Sequence, residues 1–236
     1  MRRIVVLAAV AAAAALTGCG PRARVPTLPL SLAGVLPPED SGAVLARQLA
    51  PTLYLQRDET FQLLRVVAVL HPTRPVIAYH LLWQDDAMGA WLPFTTPTDQ
   101  EIVWVGYDST HAPSDLWTYW HGTLLHADWR GKGQVLVDVQ WGKHGALPRG
   151  TPPGDLPPLR SLRAFYALSW VLPDLWLGSF SRPGPLCFCH TFSRYKQFTR
   201  PLLLGPRLDA IVRSSRPHTV LERVFGRYSR KVEWPG

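Results

Sequence analysis

The sequence predicts a mainly β protein: an antiparallel β-sandwich with short peripheral helices and a basic, partly helical C-terminal region. Three observations lead there. Short runs rich in β-branched and aromatic residues follow one another without helices between them. Trp (10) and Pro (23) are both abundant in the 236 residues, which favours pleated strands joined by stiff, irregular loops. Gln134–Trp141 (QVLVDVQW) alternates polar and apolar residues with period two, as a strand with one buried face does.

Taken in order, Glu39–Ala50 suits a short helix, with acids at its start and Pro51 stopping it. Strands are expected at Phe61–His71, Val76–Trp83, Glu101–Tyr107, Leu116–His121 and Gln134–Trp141, each bounded by Pro, Gly or Asp. Gly131-Lys132-Gly133 reads as a short turn joining two strands. Residues 146–160 contain five Pro and form a loop, and Leu159–Leu172 reads as a helix ended by Pro173. Pro206–Ser214 and Thr219–Tyr228 are weakly helical and basic.

Apolar residues make up 47% and charged residues 18% of the chain, which excludes a disordered protein. The net charge of +8 is unevenly placed: residues 1–180 carry 14 Lys/Arg against 14 Asp/Glu, and residues 181–236 carry 11 against 3. No nucleic-acid-binding motif accompanies that basic end, so a solvated face near an anionic membrane is expected and no nucleic acid as partner. No G-x-S-x-G, H-E-x-x-H or phosphate-binding glycine loop is present.

At the N-terminus Arg2 and Arg3 precede the apolar stretch Ile4–Leu16, the order of a secretory signal. It ends in Leu16-Thr17-Gly18-Cys19, which resembles the lipobox of bacterial lipoproteins. The resemblance implies cleavage of residues 1–18 and lipidation of Cys19, giving a membrane partner and an extracytoplasmic protein of the cell envelope. Gly20 in place of Asp implies, by the same resemblance, an outer membrane where the cell has one. Residues 19–38 then form a Pro-rich tether, and residues 39–236 a single β-sandwich domain whose basic extension is 181–236. Cys187 and Cys189 allow a strained bond or, with His190, soft metal ligands; two partly buried thiols are preferred.

Seven of the ten Trp lie between Trp83 and Trp141, interleaved with acids and histidines. Asp99 and Glu101 are the sharpest pair, since an i, i+2 spacing in a strand puts both carboxylates on one face. Two such acids repel unless a cation or proton lies between them, and hard oxygen ligands suit Ca²⁺, Mg²⁺ or Mn²⁺. A solvated strand face with two acids is the alternative. Trp91, Trp117, Trp120 and Trp129 are candidate sugar-stacking residues, with plain core packing as their alternative.

The order of the segments resembles a broad family that includes the vacuolar protein sorting-associated protein sixty-two-like and the necrosis- and ethylene-inducing-peptide-like proteins. Leu45–Leu55 followed by Asp58-Glu59 resembles the family's opening, A-x-x-x-A-P-x-L…E. Ile77–Asp86, Asp99–Val105, Trp120-His121-Gly122 and Trp141–Gly145 resemble its aromatic strand, its D-W-E strand, its H-G block and its G-S-H-A block. The resemblance implies a β-sandwich with a divalent cation near the D-W-E strand, engaging a sugar headgroup in the cytolytic relatives. Carried over by position, Asp99 and Glu101 would ligate the metal or its water and Asp86, or Asp85, would add a carboxylate. His121 would join the metal set and, with His144, line the same cavity; Trp120 and Trp91 are added as ligand-binding candidates on their stacking chemistry alone. The cytolysins read G-H-R-H-D-W-E; here Thr96 and Thr98 replace the motif histidines and Gln100 replaces the Trp.

The expected function is therefore an envelope-anchored binding module for a carbohydrate or envelope component, with a divalent-cation site. A metal-dependent hydrolase using His121 or His144 as base, and a structural lipoprotein without a metal, are the alternatives.

Overall fold

The structure, a computed structural model, describes residues 32, 34–57, 59, 61–84, 99–152, 155, 198–225 and 231–236. The leader, Cys19, most of the tether, the expected helix at 159–172, and Cys187 and Cys189 lie outside the described residues, as do Asp85, Asp86 and Trp91.

Helix α1 spans Ser41–Gln48. Asp40 caps it, its carboxylate accepting from the amides of Gly42 at 2.8 Å and Ala43 at 3.3 Å. Ala43, Leu45, Ala46 and Leu49 form its buried stripe, and Pro51 follows before the chain enters β1, Thr52–Gln56. Then come β2 (Leu63–Leu70), β3 (Val76–Trp83), β4 (Asp99–Tyr107), β5 (Pro113–Trp120) and β6 (Thr123–Asp128). The chain continues through β7 (Leu136–Val139), β8 (Ala146–Pro148), β9 (Phe198–Leu203), β10 (Ala210–Arg213) and helix α2 (Pro217–Phe225).

The strands form two sheets, one ordered β8-β7-β1-β9 and the other β10-β2-β3-β4-β5-β6. The expected sandwich is present, but its pairing is mixed. β1 runs parallel to β7 and β10 parallel to β2, while the other neighbours are antiparallel. Pro206–Ser214, expected to be weakly helical, holds only the tail of a single 3₁₀ turn and then β10. The Ile211-Val212 pair fits a buried strand, and their backbone is completed by β2 rather than by a helical turn. The Gly131-Lys132-Gly133 turn does join two strands, β6 and β7, but they belong to different sheets. It is a crossover at the sheet edge and not a hairpin.

Between the sheets lies one core, with Leu53, Leu55, Tyr79, Leu81, Trp83, Val103 and Val105 at its centre. The Tyr79 hydroxyl donates to the Ala46 carbonyl at 2.8 Å, tying α1 to this layer. On its outer face the six-stranded sheet carries a second core, in which Leu221 and Phe225 of α2 cover Val67, Ala78, Leu82, Ile102 and Trp104. β3 is consequently buried at every position, and its run, apolar except for His80, reflects two covered faces. β5 shows the alternation of a strand with one face to the core and one half open.

Candidate functional site: a buried acid–imidazole cluster at one end of the sandwich

Asp99 and Glu101 open β4, opposite Trp83 and Leu81 of β3. Both lie on the face that Val103 and Val105 continue into the inter-sheet core, as their spacing requires. Gln100, between them, turns outward and donates to the Phe225 carbonyl at 3.2 Å.

His144 arrives from the other sheet, on the turn between β7 and β8, where its backbone takes the left-handed conformation (φ 50°). Its imidazole is fully buried. Nδ1 donates to the Asp99 carboxylate at 2.9 Å, and Nε2 lies 3.6 Å from Glu59. Glu59 is itself fixed by the amides of Phe61 and Gly142, each at 2.9 Å. The Trp83 indole stacks on the ring with centroids 4.1 Å apart, and Phe61 meets its edge at 5.9 Å. Burial acts to lower the pKa of this imidazole, but the two carboxylates outweigh it and hold it up at about 9. Burial likewise raises both acids, yet their contacts with His144 leave Glu59 and Asp99 lowered. The group is a carboxylate–imidazolium–carboxylate bridge between the two sheets.

His121 sits beside it. With Gly122 it forms the two-residue turn between β5 and β6, both residues at positive φ (46° and 95°), the conformation of a type I′ hairpin turn. Its Nε2 makes a short hydrogen bond to the Gln140 side-chain oxygen. Burial is the main influence on His121, pushing it down to about 4, so this ring is neutral at pH 7. Gly145 must be a glycine for this packing: a Cβ there would come within 2.8 Å of His121 Nε2 and 2.9 Å of the Trp120 ring.

Glu101 is engaged from a third direction. The Lys231 ammonium lies 2.7 Å from its Oε2, and donates to the Gln100 carbonyl. Oε2 is not met along a hydrogen-bonding direction, and burial favours the uncharged carboxyl, so the contact becomes a full ion pair only where Glu101 ionises. Burial pushes the Glu101 carboxyl up to about 8, with Lys231 opposing and Asp99 adding to the rise.

Among solved structures, the chain is similar to NLPPya in complex with glucosamine, at 11% identity over 71% of this chain and 94% of that chain, TM-score 0.37. It is similar also to NLPPya in complex with mannosamine, at 14% identity over 48% and 70%, TM-score 0.35. A third is described as a toxin fold as basis for microbial attack and plant defense, at 11% identity over 48% and 69%, TM-score 0.34. These likenesses are distant and partial. No protein family and no curated protein matches the chain.

The structure thus brings together Asp99, Glu101, His121 and His144 of the residues singled out in the sequence. Trp120 is fully buried, with its ring against His121 at 4.7 Å and under Gly145, and presents no face to a ligand. Trp129 is also buried, and Trp117 is half-buried beneath His126 at 5.0 Å. Asp86 and Trp91 lie outside the described residues. Among the described residues, no group of three or more His, Cys, Asp and Glu side chains could hold a metal ion. The donor set explains this: one Asp99 oxygen is committed to His144 and one Glu101 oxygen to Lys231. Glu59, Gln140 and Lys231 were not singled out as site residues. Glu59 ends the family-like opening and Gln140 ends the alternating strand, so both carried a signal; Lys231, in a basic tail, carried none.

Proposed function

We propose that the chain is a binding module that holds a hydroxyl-rich ligand of the carbohydrate class at this end of the sandwich. Asp99 and His121 supply the polar contacts at the mouth. A lipid on Cys19 holds the module on an envelope membrane through the 19–38 tether. The observation that carries the binding reading is the bridged pair Asp99–His144. Asp99 is the member of the bridge that reaches solvent, with 17% of its side chain exposed against 0% for His144 and 1% for Glu59. A carboxylate pinned from behind by a buried imidazolium is a preorganised acceptor for sugar hydroxyls.

Hydrolysis is less well supported. A general base works best with a pKa near the operating pH, and the two imidazoles are displaced from it in opposite directions, to about 9 and about 4. The first would be charged and the second a very weak base.

The test is retention of the full chain, in detergent, on a printed glycan array, followed by saturation-transfer NMR with methyl glycosides of the retained class. Binding weakened at least tenfold by Asp99→Ala in a variant that still folds is expected. A folded wild type that retains no glycan would overturn the reading.

A further inference from the structure

Of the two acids that open β4, Asp99 has His144 beside it, and the structure shows what stands beside Glu101. Antiparallel pairing of β4 with β5 begins at Val103↔Thr118, so the residues of β4 before it are not laddered to β5. The Lys231 side chain enters beside this opening. Its ammonium caps the Gln100 carbonyl, pairs with Glu101 at 2.7 Å and lies 5.1 Å over the Tyr119 ring. Only 11% of the side chain is exposed, and 9% of that of Glu101.

The position of that ammonium is set by packing. Residues 231–236 form a strap on the outer face of the six-stranded sheet. Trp104 Nε1 donates to the Glu233 carbonyl at 3.1 Å, and Arg74 donates to the Pro235 carbonyl at 2.6 Å. The strap's own Trp234 donates to the Ser215 carbonyl at 2.8 Å, and the Glu233 carboxylate accepts from the His218 amide at 3.2 Å. Lys231 is delivered by a fixed element and not by a free tail.

The surrounding charges agree. Lys231 lowers the Asp99 carboxyl as well as opposing the rise of Glu101. On its other side it faces His80, which burial holds well below the usual imidazole range, and so neutral, with His218 and Lys231 adding to the effect. His121 is likewise neutral. The acid in contact with the ammonium is Glu101, while Asp99 is paired with the His144 imidazolium and feels Lys231 and Lys143 at longer range.

We infer that the ammonium of Lys231, supplied by the chain itself, stands beside Glu101 in the place where a divalent ion would otherwise be required, while His144 serves Asp99. The site is electrostatically complete without metal, and through this ammonium it is tied to the C-terminal strap. The inference does not depend on what ligand the module binds.

Thermal unfolding of the full chain, with and without millimolar Ca²⁺, Mg²⁺ or Mn²⁺, tests it. Wild type and Lys231→Arg are expected to show the same Tm in all conditions. Lys231→Met is expected to unfold at lower temperature, to regain part of the loss with at least one of the three ions, and to lose that response when Glu101→Gln is added. If Lys231→Met does not fold alone, the ions are supplied during refolding, and recovery of the folded protein takes the place of the Tm rise. A wild-type Tm that rises with an ion and still rises in Lys231→Met overturns the inference. So does a Lys231→Met that none of the three ions rescues.

Discussion

The imidazole of His144 lies flat on the indole of Trp83, with ring centroids 4.1 Å apart and planes 3° from parallel. Because that imidazole is held charged by Asp99 and Glu59, the stack is a cation on the face of an aromatic ring. It links a turn of one sheet to the last residue of β3 in the other, at the point where the acid pair begins.

Removing the charge at this junction is expected to be costly. His144→Phe keeps a ring against Trp83 but leaves the buried Glu59 and the partly exposed Asp99 without their partner, for which a loss of about 3 kcal/mol is expected. Urea unfolding followed by tryptophan fluorescence measures it. A loss below about 1 kcal/mol would mean that the bridge does not hold the sheets together.

The same group sets a pH dependence. The folded pKa of His144 is raised from 6.5 to about 9, so its contribution to stability is whole below 6.5 and falls as pH rises through about 9. Asp99 and Glu59 are lowered, so their share is whole above their ordinary values and falls as pH drops through the folded ones. The stability difference between wild type and His144→Phe should therefore be widest around pH 5.5–6.5 and shrink toward pH 9. A difference that grows between those limits would contradict the charged bridge.

His121 titrates in the opposite sense. Its pKa is depressed to about 4, so it favours the folded state above 6.5 and loses that share as pH falls toward 4. His121→Asn keeps a residue suited to the left-handed turn and removes the titrating ring. The variant should fold and should lack this part of the acid-side loss, read from Tm between pH 4 and pH 6.5. An acid limb unchanged from wild type would assign that loss elsewhere.

Gly145→Ala probes the packing behind the cluster. The added carbon would press on His121 Nε2 at 2.8 Å and on the Trp120 ring at 2.9 Å. The large, fully buried indole cannot swing aside, so a loss of about 1–3 kcal/mol is expected. Equilibrium unfolding checks this, and an unchanged midpoint would show that the turn relaxes freely.

Much of the fold was legible because it is written locally. Gln134–Trp141, expected as a strand with one open face, holds the shorter β7, whose Asp138 and the following Gln140 are buried too. Asp40 stands at a helix cap and Val76–Trp83 is apolar except for His80, so these elements could be assigned from their own residues. β1, β6, β8, β9 and β10 were not among the expected strands, and the last two have weak local signatures. β9 (FTRPLL) is mostly exposed and contains a Pro, and β10 has four residues whose pairing partner lies far upstream. In the site, the i, i+2 geometry of Asp99 and Glu101 followed from strand periodicity alone. Their partners did not, because an ion pair such as Lys231 with Glu101 spans 130 residues of sequence and leaves no spacing to read. The reading of Trp120 as a ligand surface turned on exposure, which depends on the sheet that packs over it.

The parallel pairs have a consequence for the order in which the molecule assembles. β1 is flanked by β7 and β9, so Thr52 pairs with Leu136 on one side and Leu203 on the other, while Val67 of β2 pairs with Ala210. Closing loops of that length costs entropy before any pairing energy returns, which places the chain among slow, high-contact-order folders. Neither sheet can be completed until the last quarter of the polypeptide has been made. Until β9 and β10 arrive, β1 and β2 each lack a neighbour, so the topology delays completion of both sheets.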